Sequence, residues 1–334
     1  MKASVIGSGS WGTALGELLV ENGHETLVYG RDEAQVHDIN ANHKNTRYFP
    51  SDVSFDKSLT ATTDLAKALD GRDLIVISVP SEAIRPVLSE IKPLLHNHPI
   101  FVNTAKGFDV KTKKRLSEVY REVLGKKMSA LVSLIGPSLS IEVARHQLTC
   151  ICAVSTDEEA SKVVAQTFSN YYFRVYTTTD EIGAEIGVAI KNPIAICSGI
   201  LKGLGYGDNA RAALMTRGLH EMAAFGLHFG GKAETYLGLT GLGDLDVTTS
   251  SLESRNFRAG LEIGKADGMQ TYKDAFAGVT VEGVIACKLV HEISQAEHLS
   301  TPIIDALYSV LYESAKPSEM ALNLMQRPLK GEND

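Results

Sequence analysis

The sequence predicts an α/β protein: an N-terminal Rossmann-type, doubly wound, mostly parallel sheet followed by an all-helical C-terminal domain. Three observations predict it. Short runs rich in Val, Ile and Leu alternate with helix-like stretches over the first half of the chain. These runs are continuously apolar, the pattern of strands covered on both faces, rather than alternating. Beyond Thr177 they give way to long stretches with a period of about 3.6 residues, which is helical. The chain has 334 residues; at about 150 residues per domain it holds roughly two cores.

In chain order, strands are expected at 2–6, 25–29, 74–79, 100–104, 130–135 and 149–154, with a last one at 173–176, each ending in a turn signal. Helical stretches fall between them at 12–21, 81–91 and 112–124, giving the βαβ rhythm. The later helices are expected at 180–201, 209–229, 281–296 and 302–311. Thr177-Thr178-Thr179-Asp180 supplies hydroxyls and a carboxylate that cap a helix N-terminus, so the domain boundary is placed there. The expected domains are 1–179 and 180–327, with a frayed tail at 328–334. The basic run Lys111-Thr112-Lys113-Lys114-Arg115 reads as a solvated helix start.

With 44% apolar and 22% charged residues, the composition excludes disordered, collagen-like and coiled-coil classes. Against 33 basic residues stand 40 acidic ones, a net charge of -7. No basic excess exists to hold nucleic acid, although a local pocket for one small anion is compatible with it. Lys2 and then Val5-Ile6-Gly7 open the chain without the apolar stretch of a signal peptide, and no membrane span is expected, so the expected location is the cytosol. Four cysteines fit free thiols in a reducing compartment. No metal site is expected. His220-Glu221 and His291-Glu292 each begin a zincin-like string, but Ala224 and Gln295 stand where the second histidine is needed. Cys150 and Cys152 share one strand face, which suits core packing better than a metal clip.

Gly7-Ser8-Gly9-Ser10-Trp11-Gly12 follows the first strand and opens a helix. Of its glycines, Gly7 suits the tight turn, Gly9 the close approach of a pyrophosphate, and Gly12 the packing of helix on strand. Unpaired N–H groups of the helix start then face the anion. Alone this pattern also occurs in structural turns; its place in a βαβ rhythm favours a dinucleotide. At the end of the second strand the chain reads Tyr29-Gly30-Arg31-Asp32, and Arg31 lies 19 residues after Gly12. A guanidinium there suits a ribose 2′-phosphate, so NADP is favoured over NAD. If Asp32 faces the ribose instead, the preference reverses.

In an open α/β sheet the ligand crevice lies beyond the carboxyl ends of the strands. Ser78-Val79-Pro80-Ser81, Thr104-Ala105-Lys106-Gly107-Phe108 and Gly136-Pro137-Ser138 lie at such ends. All three also read as turn chemistry; Lys106, a cation leaving an apolar strand, further suits an anionic or carbonyl-bearing substrate. In the helix around 182–200, Lys191 stands among Gly, Ala, Ile and Val. Desolvation there lowers an amine's pKa toward the range of a proton donor or acceptor; the plainer alternative is a lysine snorkelling to solvent. Pro193 bends the helix nearby. The run 238–246 reads as a tight connection that carries Asp244 inward, and Ser254-Arg255-Asn256 offers phosphate donors at a helix start, or a simple cap.

Taken together, in this order and spacing, the motifs resemble the NAD(P)-dependent glycerol-3-phosphate dehydrogenase family of bacterial type, from Gly7 through Ala105-Lys106-Gly107-Phe108, Gly136-Pro137-Ser138, Lys191-Asn192 and Gly241-Leu242-Gly243-Asp244-Leu245 to Ser254-Arg255-Asn256. The resemblance spans nearly the whole chain. It implies hydride transfer between NAD(P)H and C2 of dihydroxyacetone phosphate for phospholipid synthesis, with Lys191 as proton donor. Implied substrate contacts are Lys106, Gly136, Ser138, Asp244, Ser254, Arg255 and Asn256. Implied cofactor contacts are Ser10, Trp11, Arg31, Lys106, Ser140, Arg255, Glu282 and, more weakly, Thr280. A homodimer built through the helical half is also implied. The chain departs from the family pattern at Pro193, commonly aliphatic, and at Ser140, commonly alanine. The rival readings are a 3-hydroxyacid dehydrogenase of the 6-phosphogluconate or hydroxyisobutyrate kind and a non-catalytic NADP-binding sensor. The first typically carries an asparagine one turn after its lysine, where this chain has Ala195.

Overall fold

A computed structural model describes every residue except Gly278, Lys330, Asn333 and Asp334, and only the backbone of Thr271. The chain divides into two compact units, Met1–Glu185 and Ile186–Asp334. The first is built on an eight-stranded sheet of β1 (Lys2–Ile6), β2 (Glu25–Tyr29), β3 (Thr60–Thr62), β4 (Leu74–Ile77), β5 (Ile100–Asn103), β6 (Ala130–Ile135), β7 (Thr149–Val154) and β8 (Phe173–Thr178). The strand order is β3-β2-β1-β4-β5-β6-β7-β8. Every pairing is parallel except β6 with β7.

Parallel register explains the unbroken apolar runs. Val28, Val5, Val76, Val102 and Val132 pair in one rank across five strands. All five point to the face covered by Leu15, Leu18 and Leu19 of the helix Ser10–Glu21. Their neighbours Ile6, Ile75, Ile77, Phe101 and Leu131 point to the other face, against Ile84 and Leu88 of the helix Ser81–Ile91 and Val119 and Tyr120 of the helix Leu116–Leu124. Burying each such side chain contributes roughly 1.5–3 kcal/mol, which fixes the register on both faces at once.

Three local expectations are corrected. β3 was not expected: Thr60-Ala61-Thr62 is too short to show a period, and it forms by pairing with the end of β2. β8 runs two residues beyond Tyr176, to Thr178. The basic run at 111–115 is not a helix start. Lys111 to Lys114 form a turn, with Lys113 at φ 58°, and the helix begins only at Leu116.

Nor is Arg115 a solvated cation. Its Nη1 donates to Oε2 of Glu185 at 2.9 Å, and Ser117 donates to the same carboxylate from N at 2.8 Å and Oγ at 2.6 Å. Arg121 forks onto Glu181 at 2.8 and 2.7 Å. The first turn of the long helix Glu181–Gly203 is therefore tied to the helix before β6 by two buried carboxylates. Burial, with the Glu181 charge beside it, pushes the Glu185 carboxyl up to about 7 in spite of Arg115. Its folded value lies above its unfolded value, so the stability it contributes is complete below about pH 4.5 and is lost as pH rises through about 7. Glu185→Gln removes that slope. Between pH 4.5 and 8 the variant is expected to gain on the wild type by about 2–3 kcal/mol, read from urea midpoints; a difference that does not change with pH refutes this.

Helices make up the regular structure of the second unit. The 23-residue helix Glu181–Gly203, whose greater part belongs to this unit, is long and apolar enough to cross a membrane by length and composition, but 89% of its apolar window is buried inside the structure. It is a core helix. Gly199 and Gly260 let it cross the helix Arg255–Lys265 at backbone contact: a Cβ at Gly199 would stand 2.1 Å from the Phe257 carbonyl oxygen, and one at Gly260 would stand 1.9 Å from that of Ile196. Glu221, whose carboxyl burial pushes up to about 7, accepts from Ile303 N and Ile304 N and so caps the helix Pro302–Tyr312. His291 pairs with Asp305. Both zincin-like strings thus have structural roles. Cys150, Cys152, Cys197 and Cys287 are free thiols. Of the tail expected at 328–334, Lys330, Asn333 and Asp334 lie outside the described residues; Leu329, beyond the last helix Pro317–Met325, is fully exposed.

Candidate active site

The strand order reverses between β1 and β4, and the loops at their carboxyl ends meet there. Gly7 N donates to Tyr29 O and Ser78 N to Ile6 O. Gly7 has φ 121°, and a Cβ on it would stand 2.2 Å from the Ser78 carbonyl oxygen; one on Gly12 would stand 2.0 Å from that of Gly7. Gly9 differs, because a Cβ there meets nothing within 4 Å. Gly7 and Gly12 thus serve the turn itself, while Gly9 presents bare backbone to open space. Ser10 and Trp11, half-buried, open the helix Ser10–Glu21, which has no side-chain cap and no acid in its first turn. An uncapped, acid-free N-terminus behind an open glycine cradle fits the pyrophosphate of a dinucleotide.

Arg31 is exposed at the end of β2, with only a loose 3.9 Å approach to Glu90. Asp32 is committed elsewhere: Oδ1 accepts from Ala34 N and Gln35 N, and Oδ2 from Arg47 Nη1 at 2.8 Å. At the end of β5, Asn103 accepts from Ala105 N and donates to Ala105 O, folding the chain so that half-buried Lys106 follows directly. Asn103 is a residue the sequence reading passed over; a lone amide closing an apolar strand was its signal. Gly136 follows β6 with a φ of 154°, where a Cβ would stand 2.8 Å from Ile151 Cα, so β7 packs on it directly. Ser138 Oγ donates back to Gly136 O, and Ser140 starts the helix Ser140–Ala144. Gly7 to Gly12, Arg31, Lys106, Gly136, Ser138 and Ser140 all belong to the first unit.

The second unit gathers the rest. Lys191 is only 3% exposed, so it does not snorkel to solvent. Its surroundings are not purely aliphatic either. Nζ is in ion-pair contact with Oδ1 of Asp244, itself 1% exposed, and donates to Thr248 Oγ1 at 3.0 Å. Thr248 Oγ1 in turn donates to the Asp244 carbonyl at 2.5 Å, one turn back on the helix Asp244–Ser250. The tight connection before Asp244 is itself a helical turn, Leu239–Gly243. Thr248 was missed; its signal was the i, i+4 spacing from Asp244, which puts both on one helix face.

Pro193 does not interrupt the lysine helix, which continues to Gly203. Asn192 accepts from Asn256 Nδ2 at 3.0 Å and donates to Glu282 Oε2 at 3.4 Å, while Asn256 Oδ1 accepts from Gly283 N. Asn192 therefore joins the helix starts that carry Asn256 and Glu282. Ser254 caps its helix, accepting from Phe257 N at 3.2 Å, and exposed Arg255 donates to Thr280 O at 3.3 Å. Lys191, Asp244, Ser254, Arg255, Asn256, Thr280 and Glu282 all belong to this unit.

Two family models match the chain: NAD-dependent glycerol-3-phosphate dehydrogenase N-terminus over residues 2–161, and the C-terminus of the same enzyme over residues 180–322. Among similar curated proteins is a glycerol-3-phosphate dehydrogenase [NAD(P)+] of Lactiplantibacillus plantarum, 45% identical over 99% of this chain and 98% of that protein. Another, of the same description, is from an Exiguobacterium species, 44% identical over 98% of this chain and 96% of its own length. A crystal structure of glycerol-3-phosphate dehydrogenase from Coxiella burnetii superposes with a TM-score of 0.91 at 35% identity, covering 98% of this chain and 99% of that one.

Proposed function

The chain belongs to the NAD-dependent glycerol-3-phosphate dehydrogenase family, and we propose that it interconverts dihydroxyacetone phosphate and sn-glycerol 3-phosphate with a nicotinamide dinucleotide. The observation that carries this reading to particular atoms is the buried amine of Lys191, in contact with Asp244 and bonded to Thr248. A bound dihydronicotinamide supplies the hydride. As C2 of the ketone is reduced, negative charge grows on its oxygen, and the Lys191 ammonium stabilises that charge and gives up a proton to complete the alcohol. In the oxidative direction the neutral amine takes the proton back. Asp244 and Thr248 fix where Nζ points. Lys106, Gly136, Ser138, Ser254, Arg255 and Asn256 complete the substrate contacts, and the phosphate held by Arg255 and the helix start supplies binding energy remote from the reacting carbon.

The cofactor contacts are Gly7, Gly9, Ser10, Trp11, Gly12, Arg31, Lys106, Ser140, Arg255, Thr280 and Glu282. NADP is the favoured form, because Arg31 is available to a 2′-phosphate while both Asp32 oxygens are engaged. In this reading residues 1–179 bind the dinucleotide, 180–327 bear the substrate, and the enzyme works as a cytosolic homodimer that supplies glycerol 3-phosphate to phospholipid synthesis.

Steady-state oxidation of NADPH and NADH with dihydroxyacetone phosphate tests the reading. Turnover is expected with both cofactors, at higher kcat/KM with NADPH. Reduction of a 3-oxoacid without reduction of dihydroxyacetone phosphate would overturn it in favour of a hydroxyacid enzyme. Arg255→Ala is expected to raise the KM for dihydroxyacetone phosphate by about tenfold or more, the loss of a charge-assisted phosphate contact; an unchanged KM removes Arg255 from phosphate binding.

A further inference from the structure

Asn45 is 1% exposed and lies in the segment between β2 and β3, yet its side chain is bonded to the glycine turn. Its Nδ2 donates to Ser8 O at 2.9 Å and to Thr13 Oγ1 at 2.9 Å, and its Oδ1 accepts from Gln35 Nε2 at 3.3 Å. Gln35 Oε1 in turn accepts from Ser8 Oγ at 3.0 Å. A closed buried ring thus runs from the first glycine loop to Gln35, to Asn45 and back. Such a ring has few alternative arrangements, because each broken bond leaves a buried polar group unpaired. The residues that follow Asn45 are held in turn: Asp38 accepts from Thr46 N at 2.8 Å and Thr46 Oγ1 at 2.9 Å, and Tyr48 N and Phe49 N donate to Asn45 O.

This network fixes Arg47 beside the end of β2. Its guanidinium donates one N–H to Asp32 Oδ2 and leans over the Tyr48 ring, 5.7 Å from the centroid. Arg47 also lines a hollow of about 320 Å³, shared with Asp32, Gln35, His37, Asp38 and Asn42 among others. In a Rossmann sheet the adenosine ribose of a dinucleotide lies beyond the second strand, the end that Asp32 follows. A carboxylate there would accept the two ribose hydroxyls of NAD. Here that carboxylate is occupied by two backbone N–H groups and an arginine, and it orients a cation. An arginine has five N–H donors in a fixed fork, so the bond to Asp32 leaves others to meet an anion.

We propose that Arg47, aimed by Asp32 and anchored by the Ser8–Gln35–Asn45 ring, is a second cation for the 2′-phosphate of NADP(H) beside Arg31, and a determinant of cofactor choice in its own right. The inference rests on the NADP preference argued above. The test is isothermal titration of the full chain with NADPH, NADH, adenosine 2′,5′-bisphosphate and AMP, for the wild type and for Arg47→Ala, Arg47→Lys and Arg31→Ala. None of these readouts requires turnover. Arg47→Ala is expected to weaken NADPH and the bisphosphate by about tenfold to a hundredfold, while NADH and AMP change by less than about threefold; Arg47→Lys is expected to recover part of the loss. Equal weakening of NADPH and NADH, or no weakening of either, overturns the role of Arg47. A wild type that prefers NADPH, with the preference intact in Arg47→Ala, sinks this inference alone. A wild type that binds NADH as tightly as NADPH sinks the cofactor preference and this inference together.

Discussion

Lys191→Ala is expected to bind NADPH as the wild type does and to lose turnover by on the order of a hundredfold or more, the scale of a positioned proton donor. The expectation rests on two physical terms. A ketone oxygen that gains charge on reduction needs a cationic donor in place before the hydride arrives, and water entering the space left by the side chain carries no charge. Proton transfer also requires a group that gives up its proton at working pH. Lys191→Arg separates the terms, because a guanidinium keeps the charge but does not deprotonate in proteins. Arg at this position is expected to retain more substrate affinity than Ala and to recover little of the kcat. Near-normal turnover in Lys191→Ala, measured by NADPH oxidation at saturating dihydroxyacetone phosphate, would remove the lysine from the chemistry.

Much of this arrangement was legible in the sequence because its signals are local. The strands β1, β2, β4, β5, β6 and β7 announce themselves as uninterrupted apolar runs, since each is buried on both faces. The glycine turn is readable because sterics demand glycine at 7 and 12. What could not be read depends on partners far along the chain. Thr60-Ala61-Thr62 is a strand only because β2 offers it an edge. Arg115 looked like one more surface cation in a basic run, and its partner Glu185 lies 70 residues away. In the site, Lys191 was visible as an anomaly, a cation in an apolar helix. Thr248 was not, since a threonine on a helix carries no such contrast until Nζ is seen against it. Asp32 was ambiguous partly for the same reason: its Oδ2 is engaged by Arg47, fifteen positions later.

The Lys191–Asp244 pair should also separate stability from catalysis. Asp244→Ala takes a carboxylate from beside a buried ammonium, and breaking a buried pair in this way costs roughly 3–5 kcal/mol, because the remaining charge was desolvated on the understanding of a partner. Removing both charges is a different perturbation. Lys191→Met with Asp244→Ala leaves neither ion to be solvated, and the stability lost by the single variant is expected to return in large part, since an apolar side chain in place of a buried pair is often neutral or better. Turnover is expected to move the other way: reduced in Asp244→Ala, where the amine remains but its position is less constrained, and lower still in the double variant. Urea midpoints at fixed pH, measured without cofactor across the double-mutant cycle, give the coupling between the two side chains, and kcat across the same four proteins gives its catalytic counterpart. Strictly additive stability losses would mean that Asp244 does not hold Lys191. Recovery of stability together with turnover in the double variant would mean that the pair serves the fold alone.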